Sequence, residues 1–178
     1  ITEVISGEGQ LTVKFTASGD TGAIGADGTP VPLKKFTVYA NGKFPTDVNV
    51  ADIGADGQYT AVIEGLANGT TYNIQVSAWN DHGEGVWSEG EPGRPATVPN
   101  APTNVVGTAT SDTSVQITWR DPTFDGGAEI TGYIVRAYDK NDEIVAEKRL
   151  TKAEAKDNCY EMTGLETGSS YTFGVKAV

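Results

Sequence analysis

Side chains suited to catalysis are scarce in this chain. There is one histidine, His82 in NDHGEG, and one cysteine, Cys159. A single thiol permits neither an intrachain disulfide nor a thiolate metal site. A lone histidine in a glycine-rich loop, with no second His and no Cys beside it in sequence, reads as a solvated side chain. Serines and aspartates are plentiful, but no nucleophile elbow positions one of them. The GEG and GADG segments do not connect a strand to a helix, so they read as turns and not as phosphate cradles. No catalytic residue is assigned, and the chain is read as non-enzymatic.

The acidic loops raise the question of metal. In DKNDE, Asp139, Asn141 and Glu143 alternate like the opening of a calcium loop. The pattern then fails: Ile144 stands where the sharp turn needs Gly, and Leu150 where a bidentate Glu belongs. A hairpin turn is the better account. Asp20 and Asp27 lie in one loop and Asp52 and Asp56 in another, and these could clamp an ion if the loops converge. Structural calcium there is the one cofactor left open; no metal-binding or cofactor-binding residue is otherwise assigned. Glu84, Glu89 and Glu91 cannot be read as a glycosidase pair, because carboxylate separation in space decides that chemistry.

Aromatic side chains offer recognition instead. Trp79 falls on the outward phase of its strand, opposite Ile74, Val76 and Ala78, and Trp87 follows a Gly-rich loop. Exposed and adjacent, the two rings could stack on a sugar or anchor another protein. The structural alternative has Trp79 covering its sheet and Trp87 sealing the domain edge or the seam between domains. Asn68-Gly69-Thr70 fits the acceptor pattern for N-glycosylation. Cys159 is turned outward if Tyr160 and Met162 face in, and reads as an inert thiol.

Charge narrows the partners. The net charge is −11. Residues 1–98 hold 12 acidic against 5 basic side chains, net −7, and residues 99–178 hold 12 against 8, net −4. Such a surface repels phosphate backbones and anionic membranes, so no nucleic acid partner is expected. No apolar run approaches 18 residues, so this segment is not expected to insert in a membrane.

The elements that carry these side chains are strands. QLTVKFTA alternates Leu11, Val13 and Phe15 against Thr12, Lys14 and Thr16, the pattern of a sheet packed on one face. SVQITWR repeats it with Val115, Ile117 and Trp119. KKFTVYA gives Phe36, Val38 and Ala40; GYIVRAY gives Tyr133, Val135 and Ala137. The phrase GLANGTTYNIQV at 65–76 returns as GLETGSSYTFGV at 164–175. Its apolar row Tyr72, Ile74, Val76, Ala78 becomes Tyr171, Phe173, Val175, Ala177. A repeat near 99 residues matches a whole small domain. Asn41-Gly42 predicts a tight hairpin, as does Asp139–Asp142. IGADG at 24–28 and at 53–57 reads as one turn used twice. TKAEAKDN at 151–158 is too short for an independent helix and predicts a loop or one helical turn. Four prolines within residues 91–102 mark the boundary.

On these residues the chain resembles two tandem fibronectin type III domains. The second copy matches through Pro102, Trp119, Asp125-Gly126-Gly127, Tyr133 and the Leu165/Tyr171 pair. The first matches through Phe15, Phe36, the Leu66/Tyr72 pair and the tail AWNDHGEGVWSEGEP. The resemblance covers essentially the whole chain. It implies an all-β fold of two immunoglobulin-like β-sandwiches in tandem, with the domains at 1–96 and 103–178, a Pro-rich linker at 97–102, and an end-to-end arrangement. It also implies a tyrosine corner at Tyr72 and Tyr171, where the hydroxyl returns to the preceding crossover. The second copy lacks its last strand, and the natural chain is expected to continue past Val178; a strand donated by another chain is the alternative. Proteins with such domains use them as spacers, adhesive modules or accessory modules. The expectation is therefore a structural, spacer or adhesive segment of a larger extracellular or surface assembly, on a cell or a virion, of bacterial or phage origin, with protein partners. The alternative is a carbohydrate-binding accessory module of a secreted polysaccharide-degrading enzyme. The Arg-Gly-Asp attachment tripeptide is absent.

Overall fold

The computed structural model describes residues 1–19 and 24–178. It divides into two units, Ile1–Thr97 and Val98–Val178. In the first, β1 (Glu3–Gly7), β2 (Gln10–Phe15) and β5 (Tyr59–Glu64) form one antiparallel sheet in the order β1-β2-β5. The facing sheet runs β4-β3-β6-β7, from β3 (Lys35–Ala40), β4 (Lys43–Asn49), β6 (Tyr72–Asn80) and β7 (Gly83–Glu84), with β8 (Glu91–Gly93) also paired to β6. The alternating residues meet between the sheets. Leu11, Val13, Phe36, Val38, Ile63 and Ile74 are buried, and Phe15 lies 5.3 Å from Phe36 and 5.4 Å from Tyr59 between ring centroids.

The second unit repeats the plan with fewer strands. β9 (Thr103–Ser111), β10 (Ser114–Arg120) and β13 (Cys159–Thr163) form the sheet β13-β10-β9. β11 (Gly132–Tyr138), β12 (Ile144–Thr151) and β14 (Thr172–Ala177) form β12-β11-β14. Ile117, Trp119, Tyr133, Val135 and Met162 fill this core. Among the described residues β14 pairs only with β11, whereas its counterpart β6 in the first unit also carries β7 and β8.

The repeated phrase does the same work twice. Leu66 and Leu165 are buried. The Ala67 N–H donates to the Tyr72 hydroxyl at 3.0 Å, and the Glu166 N–H to the Tyr171 hydroxyl at 3.0 Å. Each bond satisfies a backbone donor where the chain crosses between sheets and no ladder partner exists. The hairpin at Asn41-Gly42 has both residues at positive φ, 53° and 66°, the geometry that lets two residues join twisted strands. In the segment 151–158, β12 runs to Thr151 and a single 3-10 turn covers Lys156–Asn158.

Candidate recognition face

The two IGADG turns close identically. Gly25 N–H donates to Thr29 O at 2.7 Å and Gly54 N–H to Gln58 O at 2.7 Å. Asp27 accepts from the Thr29 N–H at 3.0 Å, and Asp56 from the Gln58 N–H at 3.1 Å. Asp52 accepts from the Asn49 amide at 3.2 Å. These carboxylates act locally, within their own turns, and Asp20 lies outside the described residues. Asp139 likewise accepts the Asn141 and Glu143 N–H groups at 2.8 and 2.9 Å, the hairpin expected of DKNDE. Among the described residues no group of three or more His, Cys, Asp or Glu side chains is placed to hold a metal ion. His82 and Glu89 are exposed, Glu91 lies on β8, and Cys159 is half-buried.

The side chains that do converge lie on the outer face of the β4-β3-β6-β7 sheet. Because Phe36, Val38 and Ala40 of β3 point inward, Lys35, Thr37 and Tyr39 point outward. Ser77 and Trp79 of β6 share that face. They form two joined hydrogen-bonded groups. In one, the Trp79 indole N–H donates to Thr37 Oγ1 at 2.9 Å, and Thr37 Oγ1 donates to Asp47 Oδ1 at 2.6 Å. Lys35 Nζ then pairs with Asp47 Oδ2 at 2.6 Å while standing 4.7 Å from the centroid of the Trp79 ring. Hydrogen bonds from Lys35 and Thr37 hold the Asp47 carboxyl below the usual carboxylate range. Trp79 is thereby a structural cover for its sheet.

The second group centres on Glu84. Its Oε1 accepts from Ser77 Oγ at 2.6 Å, from the Tyr39 hydroxyl at 2.8 Å and from Trp87 Nε1 at 3.3 Å. The Ser77 and Tyr39 bonds keep this carboxyl ionised below its ordinary range. Burial, reinforced by Glu84, pushes the Tyr39 phenol up. Trp87 stacks on Tyr39 with centroids 5.1 Å apart and planes at 29°. A Cβ at Gly42 would sit 3.4 Å from the indole, in ordinary contact, so the ring packs beside the hairpin turn. Trp87 remains 46% exposed and Val86 93% exposed.

The edge strand explains why these two residues stand out. Trp79 pairs with Glu84, while Ile74 pairs with Glu91. Five steps along β6 therefore face seven along the edge, and two extra residues must be absorbed. Gly85 N–H still reaches Ala78 O at 2.8 Å and Ser88 N–H reaches Val76 O at 2.8 Å. The Ser88 hydroxyl accepts from the Val76 N–H at 3.1 Å, replacing a ladder carbonyl. Val86 and Trp87 lie in the resulting bulge, a device that re-aims side chains and blunts an edge against strand pairing. Sequence reasoning found the two tryptophans. It missed Glu84 as the hub and Tyr39 as the support, since Tyr39 lies 45 residues from Glu84 along the chain.

The second unit has a polar cluster that sequence reasoning also missed. The Tyr133 hydroxyl donates to Asp121, and Lys152 Nζ donates to the Tyr133 oxygen at 2.8 Å. The Asn158 amide donates to Asp121 at 2.9 Å. The Tyr133 hydrogen bond, with Lys152 and Asn158 behind it, lowers the Asp121 pKa. The Tyr133 bond raises that of Lys152, and burial raises that of Tyr133. A carboxyl whose folded pKa is depressed stabilises the fold above its unfolded pKa and loses that contribution as pH falls through the folded value. Raised values for the phenol and ammonium give stability that is present below their unfolded pKa values and lost as pH rises through the folded ones. The Asp121→Asn variant is thus expected to be less stable than the parent at pH 7, with the gap narrowing below about pH 4. Urea unfolding of both proteins at pH 7 and in acid checks this; a gap independent of pH would assign Asp121 no electrostatic role.

A hollow of about 760 Å³ opens beside the β11–β12 turn, lined in part by Lys140, Val145, Leu165 and Tyr171. The one aspartate on its wall, Asp139, is already engaged by backbone N–H groups.

Comparison with known proteins agrees with this architecture. Residues 100–178 match the family model of the fibronectin type III domain. Receptor-type tyrosine-protein phosphatase F of Danio rerio is 32% identical over 121 residues, 67% of this chain and 6% of that protein. Cell adhesion molecule Dscam1 of Drosophila melanogaster is 33% identical over 121 residues, 65% of this chain and 8% of that protein. Chitinase A1 of Niallia circulans is 30% identical over 170 residues, 91% of this chain and 22% of the enzyme. The chain therefore spans a small part of each of these relatives. A crystal structure of titin domains, 24% identical, superposes with a TM-score of 0.58 over 98% of this chain and 54% of its own, a likeness of fold.

Proposed function

We propose that this chain of two tandem fibronectin type III-like sandwiches is a non-enzymatic structural or adhesive segment of a larger extracellular or cell-surface assembly. In this reading, residues 1–96 and 103–178 are the modules and 97–102 the linker. The module at 1–96 makes protein contacts through the outer face of its β4-β3-β6-β7 sheet. The observation that carries the reading is the exposed Val86–Trp87 bulge seated on a hydrogen-bonded support. An immobilised aromatic presented beside an aliphatic side chain suits a protein anchor, because little conformational freedom is lost when the partner arrives. A relative described as a cell adhesion molecule, a much longer protein, supports the same reading. None of the relatives named above is a virion protein, and a virion fibre draws no support from them.

The test is a photo-crosslinker, p-benzoylphenylalanine, in place of Val86 in the full-length protein in its natural setting. The expected result is covalent capture of one discrete protein. The same probe at Val62, exposed on the opposite sheet, serves as the reference. Equal labelling from both positions, or none from Val86, would remove this face from the contact.

The second reading is carbohydrate binding, which the open Trp87 ring favours and the tied-down Trp79 does not. Retention on insoluble chitin or cellulose that disappears with Trp87→Ala would move the assignment to it.

A further inference from the structure

The outer face of the β4-β3-β6-β7 sheet contains the same pair of groups twice, once filled and once open. In the filled pair, the Trp79 indole and the Asp47 carboxylate hold the Lys35 ammonium between them, 4.7 Å from the ring centroid and 2.6 Å from Oδ2. In the open pair, the Trp87 indole meets the Glu84 carboxylate through an Nε1–H···Oε1 contact of 3.3 Å. Among the described residues no cation lies over Trp87 and none forms an ion pair with Glu84. Lys35 acts on Glu84 only as a more distant charge. All three donors to Glu84 converge on Oε1, and no described residue donates to Oε2.

We propose that Trp87 and Glu84, backed by Tyr39, form a subsite for an arginine side chain of a partner protein. The guanidinium lies on the open face of the Trp87 ring and pairs with Glu84 Oε2. The proposal rests on the protein-contact reading above and specifies its chemistry. Tyr39 stacks on one face of the indole, and Trp87 keeps 46% exposure for a partner to cover. A planar guanidinium stacks flat on a ring and offers a fork of N–H donors to a neighbouring carboxylate, whereas an ammonium brings only the point charge that Lys35 places between Trp79 and Asp47. Residues 1–98 carry a net charge of −7 and steer basic partners toward this module. Val86, 93% exposed beside the subsite, gives the partner an apolar foothold that a small free cation would not use. The two-residue bulge disfavours recognition by strand addition at this edge, so side chains must carry it.

The test follows the Trp87 indole N–H resonance of the 178-residue chain by NMR. The probe is the blocked tripeptide acetyl-Gly-Arg-Gly-amide; its citrulline analogue has the same shape without the charge. The arginine peptide is expected to move the resonance saturably in roughly the tens-of-millimolar range suited to one exposed contact. The citrulline peptide should be about tenfold weaker. Glu84→Gln, which keeps an Oε1 acceptor for the three donors, should weaken the arginine response similarly, and added salt should reduce it. Equal responses to both peptides, an unchanged response in Glu84→Gln, or no response to arginine would each overturn the subsite. If Val86 crosslinks to a partner while the titration is silent, the face remains a contact and only its arginine chemistry falls. If both fail, the contact face falls as well.

Discussion

Replacing Trp119 by alanine is expected to destabilise the second sandwich by roughly 3–5 kcal/mol, whereas replacing it by phenylalanine leaves stability within about 1 kcal/mol of the parent. Trp119 is 5% exposed, with its ring 5.1 Å from Tyr133. Truncating such a ring to alanine costs roughly 3–5 kcal/mol through lost burial and the cavity left behind. A unit of this size holds about 4–12 kcal/mol in total, at roughly 0.05–0.15 kcal/mol per residue. Phenylalanine also loses volume, but it removes a liability: Trp119 Nε1 is buried without a hydrogen-bond partner among the described residues. An unsatisfied buried donor costs about 1–3 kcal/mol, which offsets most of the lost ring area. The first sandwich already uses this solution, with Phe15 in the corresponding place packed on Phe36 and Tyr59. Urea unfolding followed by circular dichroism distinguishes the two variants. A Trp119→Phe variant as unstable as Trp119→Ala would mean that the indole shape, not the burial of a large ring, holds this core.

What the sequence could disclose and what it could not follow the range of the interactions. Leu66, Tyr72 and their partners Leu165 and Tyr171 are close neighbours in sequence, and the bond each hydroxyl makes reaches only five residues back. Such local chemistry shows as a repeated phrase. Period-two burial was equally plain in Leu11, Val13 and Phe15, because inward phase needs only the strand itself. The recognition face was half legible. The outward phase of Trp79 could be read, but its cover by Lys35 depends on β3 pairing with β6, and the freedom of Trp87 depends on a register change between β6 and its edge. Two surplus residues in an edge strand have no signature until the partner strand is known. Glu84 looked like one solvated carboxylate among several, yet it receives Tyr39 from 45 positions away. The Asp121–Tyr133–Lys152–Asn158 cluster was hidden for the same reason, since Asp121 and Lys152 are 31 residues apart and meet only across the folded sandwich.

Gly132→Ala is expected to lower the stability of the second unit by about 3 kcal/mol, at the upper end of the range for overpacking, with the first unit unaffected. Gly132 opens β11 opposite Thr151, and Tyr133 pairs with Leu150. A Cβ at Gly132 would lie 2.1 Å from the Leu150 carbonyl oxygen and 3.3 Å from Thr151 Cα. Both obstacles are backbone, so relief requires β12 to move away from β11. That displacement reaches the core, because Tyr133 is fully buried and Leu150 nearly so. It also pulls Lys152, whose N–H donates to Thr131 O at 2.9 Å, away from the Tyr133 hydroxyl and Asp121. Gly90→Ala is the informative control. Its Cβ would come closer still, 1.9 Å from Asn73 Oδ1, but that obstacle is an exposed side chain that can rotate aside. Its cost is expected to stay within about 1 kcal/mol, near the small effects usual for surface substitutions. Trp79 and Trp87 belong to the first unit and Trp119 to the second, so amide hydrogen exchange, read unit by unit, separates the two unfoldings, while circular dichroism reports both. If Gly132→Ala and Gly90→Ala cost the same, the β11–β12 pair yields to a methyl group as easily as a surface side chain does. The close approach at Gly132 would then contribute nothing to holding Tyr133 and Lys152 in register.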